Sequence, residues 1–282
     1  MPTTPVATGV ELAWEAFGSP ADPTVLLVMG LGAQMIAWDD ELCEQLAGAG
    51  HHVIRFDNRD SGLSTHVPSA YTLSDLAADT VGLLAALDLP AAHLVGASMG
   101  GMIVQTVAVE HPARVLSLTS IMSTTGRAED TETTPAAAAA LATPPAPDVE
   151  AAAERAVLVW RVLGSPAYPR PEEELRERAR RAWARDSDPT GFVRQYAAIN
   201  TPGQDRTEAL GRVGVPTLIV HGEDDPLLGV RGGRATAAAV PGSELWVVPG
   251  MGHDLPPAVW PELIARVGAV VARGEAQAAA SR

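Results

Sequence analysis

Gly96-Ala97-Ser98-Met99-Gly100 stands between a short apolar stretch, Ala92 to Val95, and an amphipathic pattern, Gly100 to Glu110. The first stretch is typical of a buried strand and the second of a helix. Ser98 would then lie at a sharp strand-to-helix turn, where glycines at 96 and 100 relieve the crowding of the backbone. A bare G-x-S-x-G pattern is short, and the strand-turn-helix context is what makes it specific. The sequence predicts a serine exposed at the carboxyl end of a strand, which is a candidate nucleophile.

Short apolar strands alternate with helical patterns on both sides of this motif. This alternation is the signature of βαβ units that build a parallel sheet. Further strands are predicted at Thr24 to Met29, His52 to Phe56, Val115 to Ser120, Thr217 to His221 and Glu244 to Val248, with Val10 to Phe17 as an antiparallel edge strand. Further helices are predicted at Trp38 to Ala49, Leu73 to Leu87, Arg231 to Val240 and Pro257 to Arg273.

The alternation stops after Ser123. Thr, Ala and Pro dominate up to Pro147, which predicts a mobile or partly helical connector. Helical patterns without an intervening strand follow, and this predicts a helical cap over one edge of the sheet. The cap would comprise residues 124–207, and residues 1–123 and 208–282 would form the core domain. The three helical patterns are Val149 to Leu163, Pro171 to Asp186 and Thr190 to Asn200.

Composition excludes several kinds of partner and chemistry. The 282 residues carry 34 acids against 20 bases, a formal charge of −14 that repels nucleic acid and anionic membranes. All twenty bases are arginine, so chemistry that depends on lysine is excluded. The single cysteine, Cys43, lies in a helical pattern and is expected to be a buried hydrophobe. No leader or membrane-spanning stretch is visible, so a cytoplasmic protein with a small-molecule substrate is expected.

A serine nucleophile needs a base within hydrogen-bond reach and a third group that orients the base. Among the seven histidines, His253 lies in Pro249-Gly250-Met251-Gly252-His253, which follows a strand and precedes the last helix. Catalytic loops collect at that edge of a parallel sheet. His253 is therefore the predicted base. The others have structural explanations or no positional argument: His51 and His52 enter a strand, His93 lies in one, His111 precedes a proline, His221 closes a strand and His66 lies in a polar loop.

The third group should be one of three consecutive acids, Glu223, Asp224 and Asp225, which follow the strand that ends at His221. We favour Asp225, because the proline after it would fix the turn. Asp224 is the alternative. Acids that do not reach the histidine would belong to a solvated turn.

A tetrahedral intermediate also needs two hydrogen-bond donors for its oxyanion. Backbone amides at a loop and at a helix start are suited to this role. Val28-Met29-Gly30-Leu31-Gly32-Ala33 ends the strand nearest the first helix. The amides of Leu31 and Met99 are the expected oxyanion hole.

These motifs together resemble the α/β-hydrolase superfamily over nearly the whole chain. Ser98, Asp225 and His253 follow the nucleophile–acid–base order of that family. The resemblance implies an α/β-hydrolase fold, with a mostly parallel eight-stranded sheet flanked by helices and a helical cap inserted after the sixth strand. Residues 57–64 resemble the turn that follows the family's fourth strand, and we interpret that turn as structural.

Within the superfamily, three segments look most like aclacinomycin methylesterase and related bacterial esterases. They are Val28-Met29-Gly30, residues 55–62 and Pro249 to His253. Met29-Gly30 stands where many relatives have His-Gly, so one familiar side chain is missing beside the oxyanion amide. We recognise no motif in the predicted cap, and caps determine substrate choice in this fold. The substrate is therefore not carried over.

The sequence favours hydrolysis of carboxylic esters through an acyl-enzyme on Ser98, with no metal or organic cofactor. The same triad could serve amide, lactone or carbon–carbon hydrolysis, or perhydrolysis. A ligand-binding protein that retains the fold without turnover is the alternative from another class. Candidate pocket residues, each of a kind that more often belongs to core packing, are Trp38, Met102, Trp160, Trp183 and Tyr196.

Overall fold

The computed structural model describes residues 1–281, and its centre is a single eight-stranded sheet. The predicted strands are present, with ends that differ from prediction by at most a few residues. One strand, at the amino end of the chain, was not predicted. The strands are β1 (Thr3–Pro5), β2 (Glu11–Phe17), β3 (Thr24–Val28), β4 (His52–Phe56), β5 (Ala92–Ala97), β6 (Val115–Ile121), β7 (Thr217–Gly222) and β8 (Glu244–Val248).

The order of strands across the sheet is β1-β2-β4-β3-β5-β6-β7-β8. β2 pairs antiparallel with both β1 and β4, and every later pairing is parallel. The predicted antiparallel strand is therefore correct in direction, but its edge position is wrong. Thr3–Pro5 pairs with it and forms the edge instead. The mostly parallel eight-stranded sheet is confirmed.

The helices also follow the predicted alternation. One short helix, α4, forms within the connector that was expected to be mobile or partly helical. A second, α8, precedes β7 and was not predicted. The last helix continues to Ala280, beyond the predicted end at Arg273. The helices are α1 (Asp40–Gly48), α2 (Leu73–Ala86), α3 (Met99–Glu110), α4 (Pro135–Leu141), α5 (Val149–Leu163), α6 (Glu172–Arg185), α7 (Thr190–Ile199), α8 (Thr207–Leu210), α9 (Val230–Ala239) and α10 (Trp260–Ala280).

Two hydrophobic layers cover the two faces of the sheet. Successive side chains of a strand point to opposite faces, so Leu26 of β3 joins one layer while Val25 and Leu27 join the other. Each such fully buried side chain contributes roughly 1.5–3 kcal/mol of transfer free energy. Cys43 is buried in the second layer as expected, and burial raises the pKa of its thiol to about 12. None of the helices described in residues 1–281 is both long and apolar enough to cross a membrane.

Helices α4 to α7 lie between β6 and β7, and we call residues 135–199 the helical insertion. The helical insertion forms two ion pairs with buried carboxylates of the loop after β4. Arg185 pairs with Asp57 at 2.5 Å, and Arg194 pairs with Asp60 at 2.8 Å. Both carboxylate side chains are fully buried. The insertion therefore contacts the sheet at the carboxyl ends of its strands. The domain boundaries at residues 124 and 207 stay a prediction.

Candidate active site

Ser98 occupies a strained turn between β5 and α3, with φ +57° and ψ −120°. A non-glycine residue with positive φ costs about 1–3 kcal/mol, which the surrounding structure must offset. The flanking glycines make that turn possible. A Cβ at Gly96 would lie 2.1 Å from the carbonyl oxygen of Gly100, and a Cβ at Gly100 would lie 2.0 Å from that of Val28. Ser98 remains partly exposed at the amino end of α3.

This crowding gives a test of the turn. Gly100→Ala should destabilise the protein by about 3 kcal/mol or more, because backbone of α3 and β3 would have to separate. Urea denaturation measures the change in the free energy of unfolding. Gly48→Ala is the matched control, since a Cβ there meets nothing within 4 Å. It should leave stability unchanged or raise it by up to about 1 kcal/mol. Equal losses in the two variants would show that the turn tolerates a Cβ at Gly100 as well as α1 tolerates one at Gly48.

Ser98, His253 and Asp225 form one continuous hydrogen-bonded chain. His253 Nε2 lies 2.9 Å from Ser98 Oγ, and His253 Nδ1 lies 2.7 Å from Asp225 Oδ2. A carboxylate only accepts hydrogen bonds, so Nδ1 must carry a proton. Nε2 is then free to accept the proton of the serine hydroxyl.

Asp225 is held from both sides. Its Oδ1 accepts the backbone N–H groups of Leu227 (2.9 Å) and Leu228 (3.0 Å). His221 Nε2 lies 3.5 Å from Oδ2 and donates mainly to the Leu228 carbonyl, at 2.5 Å. Burial opposes ionisation of Asp225, but the charge of His253 and the hydrogen bonds from His221 and His253 outweigh it and hold the pKa of Asp225 well below its ordinary value.

The two neighbouring acids do not reach the histidine. Glu223 and Asp224 are exposed, whereas Asp225 is only 6% exposed. The structure therefore brings the favoured acid to His253 and leaves the alternative, Asp224, in solvent.

The loop that carries His253 contacts the last residue of α5 and the segment that follows this helix. The N–H of His253 donates to the Leu163 carbonyl at 2.7 Å, and the N–H of Gly252 donates to Ser165 Oγ at 2.9 Å. The Ser165 hydroxyl in turn donates to Asp254, whose pKa is raised by burial. The position of the imidazole thus depends on contacts made by the helical insertion.

The two N–H groups expected to form the oxyanion hole make no hydrogen bond to the described part of the protein. Within residues 1–281, the N–H groups of Leu31 and Met99 have no protein acceptor. Gly30 lies directly against Ser98: a Cβ at Gly30 would be 3.5 Å from Ser98 Oγ. In the described residues, neither amide is therefore taken by another protein group, and their role as oxyanion donors stays a prediction.

A second serine–histidine–carboxylate chain differs from the first in the burial of its serine. Ser117 Oγ lies 2.9 Å from His93 Nδ1, and His93 Nε2 lies 3.1 Å from Glu275. Ser117 is a residue of β6 and is only 2% exposed. No substrate carbonyl can reach it there. In the described part of the chain, no group of three or more His, Cys, Asp or Glu side chains is arranged to hold a metal ion.

A family model described as the alpha/beta hydrolase fold matches residues 23–256. The chain belongs to the α/β-hydrolase fold family. The matched range contains all three members of the hydrogen-bonded chain, in the order Ser98, Asp225, His253. The predicted fold class is confirmed.

The relatives of this α/β-hydrolase include curated enzymes and solved structures. It is 32% identical to rhodomycin D methylesterase DauP of Streptomyces sp. (strain C5), and the match covers 95% of this chain and 97% of that protein. It is 27% identical to the non-heme haloperoxidase of Rhodococcus erythropolis, over 90% and 93% of the two chains. The esterase RhEst1 from Rhodococcus sp. ECU1013 superposes with a TM-score of 0.79 over 96% and 98% of the chains, at 22% identity. At that identity the superposition shows a shared fold.

The five predicted pocket residues differ in burial and in their position in the α/β-hydrolase. Two are buried in the core, and three lie on helices of the insertion. Which of them contact a substrate stays a prediction. Trp38 is 1% and Met102 7% exposed, Trp183 is half-buried on α6, and Trp160 and Tyr196 are 37% and 47% exposed on α5 and α7.

Two residues of this α/β-hydrolase site were missed by the sequence analysis. His221 ends a strand, which predicts only a structural role, but its ring lies beside Asp225. Its position four residues before that acid is the only signal in the sequence. Gln195 of α7 binds the loop after β3, and nothing local in the sequence indicates that contact.

Proposed function

We propose that this α/β-hydrolase cleaves carboxylic esters through an acyl-enzyme, with Ser98 as nucleophile, His253 as general base and Asp225 as the acid that orients His253. The hydrogen-bonded chain from Ser98 through His253 to Asp225, with steps of 2.9 and 2.7 Å, carries the proposal. The likeness to a methylesterase over 95% of the chain supports an ester as the substrate. The lowered pKa of Asp225 supports its role as a permanent anion at neutral pH.

Acylation begins with proton transfer. As Ser98 Oγ bonds to the ester carbonyl carbon, its proton passes to His253 Nε2. Ionised Asp225 stabilises the imidazolium that forms. The tetrahedral intermediate then breaks its C–O bond to the alcohol, which leaves with the proton from Nε2. The acyl group remains on Ser98.

Deacylation repeats these steps with water. His253 Nε2 takes a proton as the water oxygen attacks the acyl carbonyl carbon. The second intermediate releases Ser98 Oγ, which regains its proton from the imidazolium, and the carboxylic acid departs. All protons move between the substrate, water and these side chains, so the cycle requires no metal or organic cofactor.

The Leu31 and Met99 amides supply the oxyanion hole in this proposal. Each tetrahedral intermediate carries a negative charge on the former carbonyl oxygen. Fixed N–H donors stabilise that charge without reorganising, and loss of one such donor typically costs about 10²–10³-fold in kcat. The start of α3 adds the positive end of its helix dipole beside Met99.

Residues 124–207 form a cap in this proposal. Helix α7 and the segment after α5 contact the loops that carry Leu31 and His253. A substrate would approach Ser98 between the cap and the sheet edge. The cap side chains would then select the acyl and alcohol groups.

The test is turnover of an acyl panel with identification of both products. We expect release of acid and alcohol from p-nitrophenyl and methyl esters, and labelling of Ser98 by a fluorophosphonate, located by peptide mass. A lactone, an anilide and acetate with hydrogen peroxide separate the other reactions of the same triad. Absence of both turnover and labelling in folded protein would refute the proposal and favour a ligand-binding role.

A further inference from the structure

The loop that carries the Leu31 amide is a tight turn. The N–H of Ala33 donates to the Gly30 carbonyl at 3.3 Å, so Gly30 to Ala33 form a β-turn, which we call the oxyanion turn. Its third residue, Gly32, has φ +65°, the feature of a type II turn. Type I and type II turns differ by a flip of the central peptide, here the bond between Leu31 and Gly32. The direction of the Gly32 N–H therefore reports which form is present.

Gln195 of α7 accepts that N–H. Its Oε1 lies 2.7 Å from Gly32 N, and its Nε2 donates to the Arg59 carbonyl at 2.9 Å and to Ser61 Oγ at 3.0 Å. Gln195 is 0% exposed. A buried side-chain amide with every group paired has one orientation, since the reverse orientation would set two donors face to face. Gln195 thus fixes the central peptide of the oxyanion turn.

Phe192, one helical turn before Gln195, packs on the same residue. A Cβ at Gly32 would lie 2.6 Å from Phe192 Cδ2, so the ring closes directly over the turn. The backbone of α7 is also pressed against the core, since a Cβ at Gly191 would lie 2.1 Å from the Asp60 carbonyl oxygen. Helix α7 therefore has little freedom to shift relative to the oxyanion turn.

We infer that Gln195 is a positioning residue for the oxyanion hole: by linking the Gly32 N–H to Arg59 and Ser61, it holds in place the oxyanion turn whose second residue, Leu31, supplies a donor. This inference rests on the proposed function. In the described residues Gln195 makes no hydrogen bond to Ser98, and it acts through the backbone of Leu31 and Gly32. The helical insertion then determines transition-state stabilisation as well as substrate choice.

Gln195→Met tests the inference, because Met fills a similar volume and cannot accept the Gly32 N–H. We expect kcat for a p-nitrophenyl ester to fall about 10–100-fold, less than for loss of a whole donor. KM should change by no more than about twofold, since the interaction strengthens in the transition state. The inhibition constant of a boronic acid, which adds to Ser98 and presents an oxyanion, should rise in parallel with the loss in kcat.

Arg194→Met is the matched control. Arg194 is the adjacent residue of α7 and docks the same helix on Asp60 through two hydrogen bonds of 2.8 Å. It makes no contact with the oxyanion turn in the described residues. We expect lower stability with kcat within about threefold of the parent. Equal losses of kcat in the two variants would assign the effect to general docking of α7 and overturn the inference.

A further variant covers failure of Gln195→Met to fold. Gln195→Asn keeps a buried amide but is one methylene too short to reach Gly32, so kcat should fall in the same way. A folded Gln195→Asn variant with the kcat and boronate affinity of the parent would overturn the inference. Failure of the inference about Gln195 is distinguishable from failure of the proposed function. In the latter case the parent protein itself shows no ester turnover and no fluorophosphonate label on Ser98.

Discussion

Ser98→Ala should lower kcat for ester hydrolysis by on the order of 10⁴-fold or more. Ala removes the hydroxyl that lies 2.9 Å from His253 Nε2, and with it the covalent route. The oxyanion donors and the binding contacts would remain, so a small residual rate above the uncatalysed reaction is expected. Initial rates with a p-nitrophenyl ester and the loss of fluorophosphonate labelling measure the effect. Thermal unfolding should show that the variant is folded.

Ser117→Ala is the matched control for that experiment. Ser117 also bonds to a histidine, but it lies within β6 and is 2% exposed. Its loss leaves His93 Nδ1 without that partner in a buried place, so stability should fall by about 1–3 kcal/mol while kcat is unchanged. Full activity of Ser98→Ala, or an equal loss of kcat in Ser117→Ala, would refute the assignment of the nucleophile.

The parts of the site that could be predicted are local in sequence. The turn at Ser98 follows from two glycines between a strand pattern and a helix pattern, and each of these patterns can be recognised from a few residues. The loop positions of Asp225 and His253 follow from the strands that precede them. In a parallel sheet the carboxyl ends of strands meet at one edge, so these three residues could be expected to come together.

Contacts across the insertion could not be predicted in the same way. Gly32 and Gln195 are separated by 163 residues, and Gly252 and Ser165 by 87. Their hydrogen bonds depend on how α5 and α7 pack against the loops at the edge of the sheet, and no local sequence pattern specifies that packing. The edge strand Thr3–Pro5 was missed for a related reason: a three-residue strand with two Thr and one Pro carries almost no periodic signal.

Asp225→Asn should lower kcat by about 10³–10⁴-fold, close to the effect of such a change in other Ser-His-Asp enzymes. Charge loss is one part of the reason, because the imidazolium loses its stabilising anion. The hydrogen-bond pattern around residue 225 supplies the other part. Leu227 and Leu228 both donate their N–H groups to Oδ1, so the amide oxygen of the introduced asparagine would take that place.

The amide nitrogen of the introduced side chain would then face His253 Nδ1, at the position where Oδ2 of Asp225 now lies 2.7 Å away. An NH₂ group only donates, so Nδ1 would have to accept and the ring proton would move to Nε2. A protonated Nε2 cannot accept the Ser98 proton, and the base would be held in its inactive tautomer.

Asp224→Asn removes one carboxylate from the same loop and is the matched control. Asp224 is exposed and its side chain makes no hydrogen bond in residues 1–281, so kcat should stay within about twofold of the parent. Raising the pH should not restore the kcat of Asp225→Asn, because the side-chain amide of the introduced asparagine sets the tautomer of His253 and no titration is involved. Both variants should retain KM, since neither changes the contacts of the ground-state ester. A large loss in Asp224→Asn with little change in Asp225→Asn would transfer the orienting role to the neighbouring acid, whereas the predicted difference assigns it to Asp225 through its contact with His253 Nδ1.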